Sequence, residues 1–264
     1  MNFYDAHNHL QDERFGERQA ELLAAAKAVG LKRMVVNGAC EEDWPQVLAL
    51  AKSHPEVLPS FGYHPWYLHE RTEHWQERLR EFLDQVPAAV GEIGLDRWKP
   101  DLPYDGQEEV FVAQLRIAAE RNVPASIHCL RTWGRMLELL QSNPRPECGF
   151  LLHSYGGPVE MVNVFTKLGA YFSLPGCYAH ERKERQRATF REIPMERLLI
   201  ETDAPDQLLP PQRNAFPLED QHHKSLNHPA NVRAVYEFGA ELRQMPLAEF
   251  AGQVEENFLR LFRS

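Results

Sequence analysis

The chain has 264 residues, 43% of them hydrophobic and 25% charged, enough to enclose a large core as one barrel-sized unit or as two smaller ones. A net charge of −9 argues against broad capture of duplex nucleic acid, which relies on Lys and Arg displacing phosphate counterions, although bound cations would reverse the sign locally. No run of about 18 apolar residues is present, and the first residues lack the basic and then apolar order of a secretory signal; the expectation is a cytoplasmic protein with no membrane partner.

In chain order, short apolar runs alternate with longer amphipathic segments. Strands are predicted over 1–7, 32–38, 57–64, 88–94, 124–128, 148–154, 169–174 and 197–203, each bounded by Gly, Pro or polar turns. Helical spacing of apolar residues falls over 17–30, 44–54, 74–86, 106–122 and 132–142. An irregular loop follows over 204–232, then two terminal helices over 231–244 and 247–262. Eight β-α alternations without a linker or a shift in composition favour α/β architecture of one kind: a single (β/α)8 barrel over 1–264 with extra C-terminal helices, ahead of a doubly wound open sheet. So long a loop in such a fold is expected to serve substrate binding. Cys40, Cys129, Cys148 and Cys177 show no C-x-x-C pairing and read as buried or half-buried free thiols.

Barrel active sites are built at the carboxyl ends of the strands, so the polar residues closing each predicted strand are the informative ones. They are His7 and His9, His64, Glu92, His128, His153 and Asp203. In an extended strand, residues two apart share a face, so His7 and His9 can both address one ion. A carboxylate such as Glu92 at a buried strand end is costly without a compensating cation; the alternative is an ion pair with Arg97 or Lys99. Glu201 shares a face with Asp203, which is preferred because it lies nearer the mouth. Four histidines and two carboxylates exceed what one tetrahedral ion needs and suit two divalent ions about 3.5 to 4 Å apart that activate water for hydrolysis.

Several motifs in register then carry a resemblance. "DAHNHL", "FGYHPW", "VGEIGLD", "VPASIHCLRT", "LLHSYGG", "MERLLIETDAP", "HPANV" and "ENFLRLF" span nearly the whole chain, which resembles the TatD-type metal-dependent deoxyribonucleases of the amidohydrolase superfamily. The resemblance implies a TIM barrel, a first ion held by His7, His9, Glu92 and Asp203, and a second held by Glu92, His128 and His153. It implies Asp203 as the group that orients or deprotonates water and Glu92 as the bridge, these two being the catalytic candidates. It also implies phosphodiester cleavage in DNA, most readily exonucleolytic and on single strands, with DNA or nucleotide as partner and no obligate protein partner. Zinc, manganese, magnesium, iron and nickel all suit mixed imidazole and carboxylate ligands.

One departure stands out: Leu130 occupies a position where many relatives carry a basic residue, leaving Arg131 to compensate or the substrate to differ. His64, Arg131 and Arg213 are the candidates for substrate phosphate, and Trp66, Trp98 and Tyr155 for stacking on a base, with core packing as the competing role. Arg182, Lys183, Arg185 and Arg187 fit either a cationic rim or an exposed helix face. Two other functions fit the residues: a binuclear hydrolase of a small phosphoester, lactone or amide, and a non-catalytic metal-binding or scaffold protein.

Overall fold

The computed structural model describes residues 1–99, 102 and 104–263. Eight strands, β1 (Phe3–Asn8), β2 (Leu31–Asn37), β3 (Val57–Phe61), β4 (Ala89–Asp96), β5 (Ala125–Leu130), β6 (Phe150–Leu152), β7 (Ala170–Pro175) and β8 (Leu198–Glu201), form one sheet in sequential order. Every neighbouring pair is parallel, with Ile93 opposite Ile127, Leu152 opposite Phe172 and Pro175 opposite Glu201. The N–H of Asp203 donates to His7 O at 3.0 Å and that of His9 to Ala204 O at 2.8 Å, so the two edges meet just past β8. The product is a nearly closed TIM barrel, as expected.

Strands buried on both faces need continuous apolar runs, and β1, β3, β4, β6, β7 and β8 are buried throughout. The outer layer consists of α1 (Gln19–Ala28), α2 (Trp44–Ser53), α3 (Trp75–Leu83), α4 (Gln107–Arg121), α5 (Trp133–Ser142), α6 (Val162–Lys167), α7 (Glu184–Glu192) and α8 (Val232–Arg243). Their apolar stripes face the sheet; α3 buries Trp75, Leu79, Phe82 and Leu83 at helical spacing. A ninth helix, α9 (Leu247–Phe262), closes the foot of the barrel. There Asn257 Nδ2 donates to Met195 O and Leu198 O at 2.7 and 2.8 Å, and the Tyr4 and Phe258 rings lie 4.8 Å apart.

Several local expectations need correction. β3 stops at Phe61 and β6 at Leu152, so His64 and His153 lie on the loops just beyond, whereas β4 runs two residues further than expected, to Asp96. The short α6 connects β6 to β7, its six residues too brief for a clear helical period. The segment 204–232 is not wholly irregular: it carries a hairpin of β9 (Pro217–Glu219) and β10 (Ser225–Asn227) between short 3-10 turns at Pro211–Arg213 and Pro229–Asn231.

Candidate metal centre

Glu92 stands midway along β4 with its side chain turned into the barrel mouth, 4% exposed. Its two carboxylate oxygens face different neighbours. Oε2 lies 3.3 Å from His9 Nε2 and 3.6 Å from His7 Nε2. Oε1 lies 2.7 Å from His153 Nε2, 3.0 Å from His128 Nδ1 and 3.6 Å from His64 Nε2. Asp203 completes the first side, its Oδ1 3.6 Å from both His7 Nε2 and His9 Nε2. The structure therefore brings together His7, His9, Glu92, His128, His153 and Asp203, and adds His64.

A second layer of bonds sets which imidazole nitrogen faces inward. His7 Nδ1 is 2.8 Å from Ser126 Oγ, and His9 Nδ1 is 2.8 Å from Asn37 O, leaving both Nε2 atoms directed at the carboxylates. His128 Nε2 rests against Asp96 Oδ2 at 3.0 Å, and the Trp66 indole N–H donates to the same oxygen at 2.7 Å. Gln207 Nε2 donates to Asp203 Oδ2 at 2.5 Å, so only Oδ1 of Asp203 faces the histidines. Below them Glu201 accepts from Ser154 Oγ and Ser173 Oγ, and its Oε1 lies 3.9 Å from His153 Nδ1.

The electrostatics follow from packing so many ionisable groups out of water. Burial holds His7 well below the ordinary imidazole range and His64 at about 3. Burial opposes the charged form of His9 too, yet the hydrogen bond and charge of Glu92 raise it to about 10. His128 is raised to about 9, where the hydrogen bonds of Asp96 and Glu92 outweigh its burial. Against its own burial, Glu92 is pulled well below the usual carboxylate range by the surrounding histidines. Burial raises Asp203, and it raises Glu201 further with the help of Asp203's charge.

Whether these residues suit cations can be tested on one atom. His7 Nε2 is fully buried and has no hydrogen-bond partner among the described residues, although its other nitrogen is anchored. A buried imidazole nitrogen aimed at two carboxylates and left without a partner is a poor structural feature and a good ligand. Three triplets place one donor atom each within 4.8 Å of one another: His7, His9 and Glu92; His7, His153 and Asp203; and His64, Glu92 and His128. The donor set of imidazoles and carboxylates fits divalent cations of intermediate softness.

The other expected residues fare differently. The competing ion pair of Glu92 is not formed: Arg97 lies 4.8 Å over the Tyr104 ring and Lys99 3.4 Å over that of Trp66. Arg131 is exposed at the rim, with the left-handed φ of 59°. Arg213 is turned instead to Glu241 on α8, at 2.5 Å, and packs over Phe238 at 5.7 Å, a partnership that competes with any role toward phosphate. Tyr155 is a correction: it is fully buried between Trp133 and Phe172, its hydroxyl on Pro158 O, and offers no face for stacking. Among the rim cations, Arg187 is tied to Glu184 at 2.7 Å and to carbonyl oxygens of Tyr178 and His180, as a structural clamp would be. All four cysteines are free, two buried and two half-buried.

Sequence reasoning missed Asp96, Ser126 and Gln207. Asp96 carried a readable signal, since it lies four residues after Glu92 and alternation puts both on one face of β4. Gln207 carried none, because its position depends on how the chain turns after β8.

Known proteins share this arrangement of chain. The family model of TatD related DNase matches residues 4–263. An uncharacterized metal-dependent hydrolase of Escherichia coli K12, YjjV, is 30% identical over 98% of this chain and 97% of its own. The 3'-5' ssDNA/RNA exonuclease TatD of the same organism is also 30% identical, over 98% of each chain. The crystal structure of YjjV superposes with a TM-score of 0.89 at 28% identity, covering 99% of this chain and 98% of that one.

Proposed function

Since this chain belongs to the TatD-related DNase family of metal-dependent hydrolases, we propose that it cleaves phosphodiester bonds of DNA from the ends of single strands. The observation that carries this reading is the division of Glu92 between two sets of imidazoles, with Asp203 on one side only. His7, His9, Glu92 and Asp203 would hold one divalent ion, and Glu92, His128 and His153 the other. Such ions supply Lewis acidity, neutralising phosphate oxygens and making water acidic enough to lose its proton near neutral pH.

The chain's own groups do the rest. Gln207 fixes one oxygen of Asp203, which leaves Oδ1 to orient the attacking water and take its proton. Ser126 and the Asn37 carbonyl hold His7 and His9 in one ring orientation, so the carboxylate between them needs no rearrangement when substrate arrives. Arg131 and His64 stand at the mouth where a phosphate would enter. The net charge of −9 gives little attraction for duplex, which favours frayed or single-stranded ends.

The test is release of nucleotides from end-labelled single-stranded DNA by metal-loaded protein. Asp203→Asn should lower kcat by about 10²- to 10⁴-fold, the usual contribution of a positioned proton acceptor. Wild-type protein that leaves the DNA intact, while hydrolysing a small phosphoester, lactone or amide, would move the substrate to the second reading. The exposed Leu130, where a cation is missing, is the feature that favours that alternative.

A further inference from the structure

Apolar surface is sparse among the described residues, yet one aromatic group gathers it beside the cluster. Trp98, just past β4, is 51% exposed, and across the β4–β5 pair Leu130 is 37% exposed. The Trp98 ring lies nearly parallel to that of Trp66, 25° apart in plane and 6.5 Å between centres. Trp66 itself is not free to turn. Its indole N–H is held by Asp96, its backbone N–H donates to His64 Nδ1 at 3.2 Å, and its ring stands 5.0 Å from His64 and 6.4 Å from His128. Trp66 is thus one side chain removed from the metal ligands, and Trp98 one further out.

Half of a tryptophan left in water at an active-site mouth costs free energy unless something covers it during function. The cations around it say what kind of molecule. Lys99 sits 3.4 Å over the Trp66 ring, Arg97, next to Trp98 in the chain, carries its guanidinium over Tyr104, and Arg131 is exposed at the end of the paired strand, in a chain that is acidic as a whole. A flat π surface bordered by positive charge suits a ligand that is itself flat and anionic by turns, which is the pattern of a nucleotide chain.

Resting on the reading of the site as a DNA hydrolase, we propose that Trp98, backed by Trp66, is the platform on which an unpaired nucleobase next to the scissile phosphate stacks. The platform selects single strands because a base must leave its duplex partner to lie on it. It is tolerant of sequence, since every base presents a π face. Lys99 and Arg131 meet the phosphates on either side.

Two measurements separate this proposal from the reading beneath it. The first follows quenching of tryptophan emission by a short single-stranded oligonucleotide, with no turnover required. The second is the KM for that oligonucleotide and for one abasic at its terminal positions. Trp98→Ala should weaken binding and raise KM by about 5- to 150-fold, with kcat little changed, while Trp98→Phe keeps most of the affinity. For the abasic oligonucleotide Trp98→Ala and wild type should behave alike. Because Trp98 is half exposed, its replacement should leave Tm unchanged, which excludes misfolding as the cause. If wild type cleaves DNA and Trp98→Ala binds it within twofold of wild type, or loses equally on the abasic strand, the platform is wrong and the hydrolase reading stands. If wild type binds the oligonucleotide in a Trp98-dependent way but never cleaves it, the reading fails and the platform survives. Protein that neither binds nor cleaves it overturns both.

Discussion

His228 shows what a single buried imidazole does to stability away from the ligands. It opens the 3-10 turn at Pro229–Asn231, its Nδ1 accepting from the Ala230 N–H at 2.9 Å, a role that requires the neutral ring. Burial, helped by the positive charge of Arg18, lowers it to about 4 from the ordinary value of 6.5. The unfolded chain then binds the extra proton between those two values, so the stability this ring contributes is complete above pH 6.5 and is lost as pH falls toward 4. The loss is about 2 kcal/mol once partial solvation is allowed for. His228→Asn keeps a cap acceptor but cannot titrate; thermal melts from pH 7 to 4.5 should fall less steeply for it than for wild type, and parallel curves would refute the account. At this same scale lies the limit of the sequence. The placing of Glu92, His128 and Asp203 together was legible because each ends an apolar run, whereas nothing in "FGYHPW" says that the His64 loop folds back to within 3.6 Å of Glu92.

Among the elements, β4 carries the heaviest demand. Gly94 lies between Glu92 and Asp96, with φ of +153°, and a Cβ there would come 1.9 Å from His128 O. The backbones of β4 and β5 approach this closely at the point where both deliver site residues. Gly94→Ala must therefore push the strands apart, costing at least about 2 kcal/mol and displacing Glu92 from His128. Gly134 in α5 is the converse, since a Cβ there meets nothing within 4 Å. Gly134→Ala should stabilise by about 0.5 to 1 kcal/mol through helix propensity alone. Denaturant melts of the two variants should move in opposite directions; a stable Gly94→Ala would mean the strands have slack that the contact denies. The strands were readable because a parallel sheet covered on both faces demands unbroken apolar runs. The hairpin of β9 and β10 was not, because both strands are only three residues long, too short to show a periodic pattern.

For the whole molecule, the donors come from β1, β4, β5 and the segments after β6 and β8, so occupied ligands tie together most of the circumference. A cation that binds only the folded barrel stabilises it by mass action, by about 2.7 kcal/mol when present at 100 times its dissociation constant. Stripping the protein with a chelator should then lower Tm by about 5 to 10 °C, and adding back a divalent ion should restore it. An unchanged Tm would show that the cluster holds no ion tightly. The barrel as a whole was visible in eight alternations of strand and helix, a pattern that survives errors of several residues at each boundary. The convergence of His7, His9, Glu92, His128, His153 and Asp203 was legible too, because boundary errors of a few residues still leave each pointing toward the same mouth.

The seam beyond β8 has a consequence for how the protein comes into being. His7 and His9 are translated long before Asp203 and Ala204, so the carbonyl of His7 and the N–H of His9 wait for those residues to bond with them. Until that late stretch has been translated, the first strand has no neighbour on one side and its imidazoles lack the aspartate that faces them. Shutting the ring of strands is therefore also the step that brings the two halves of the acidic and imidazole cluster face to face.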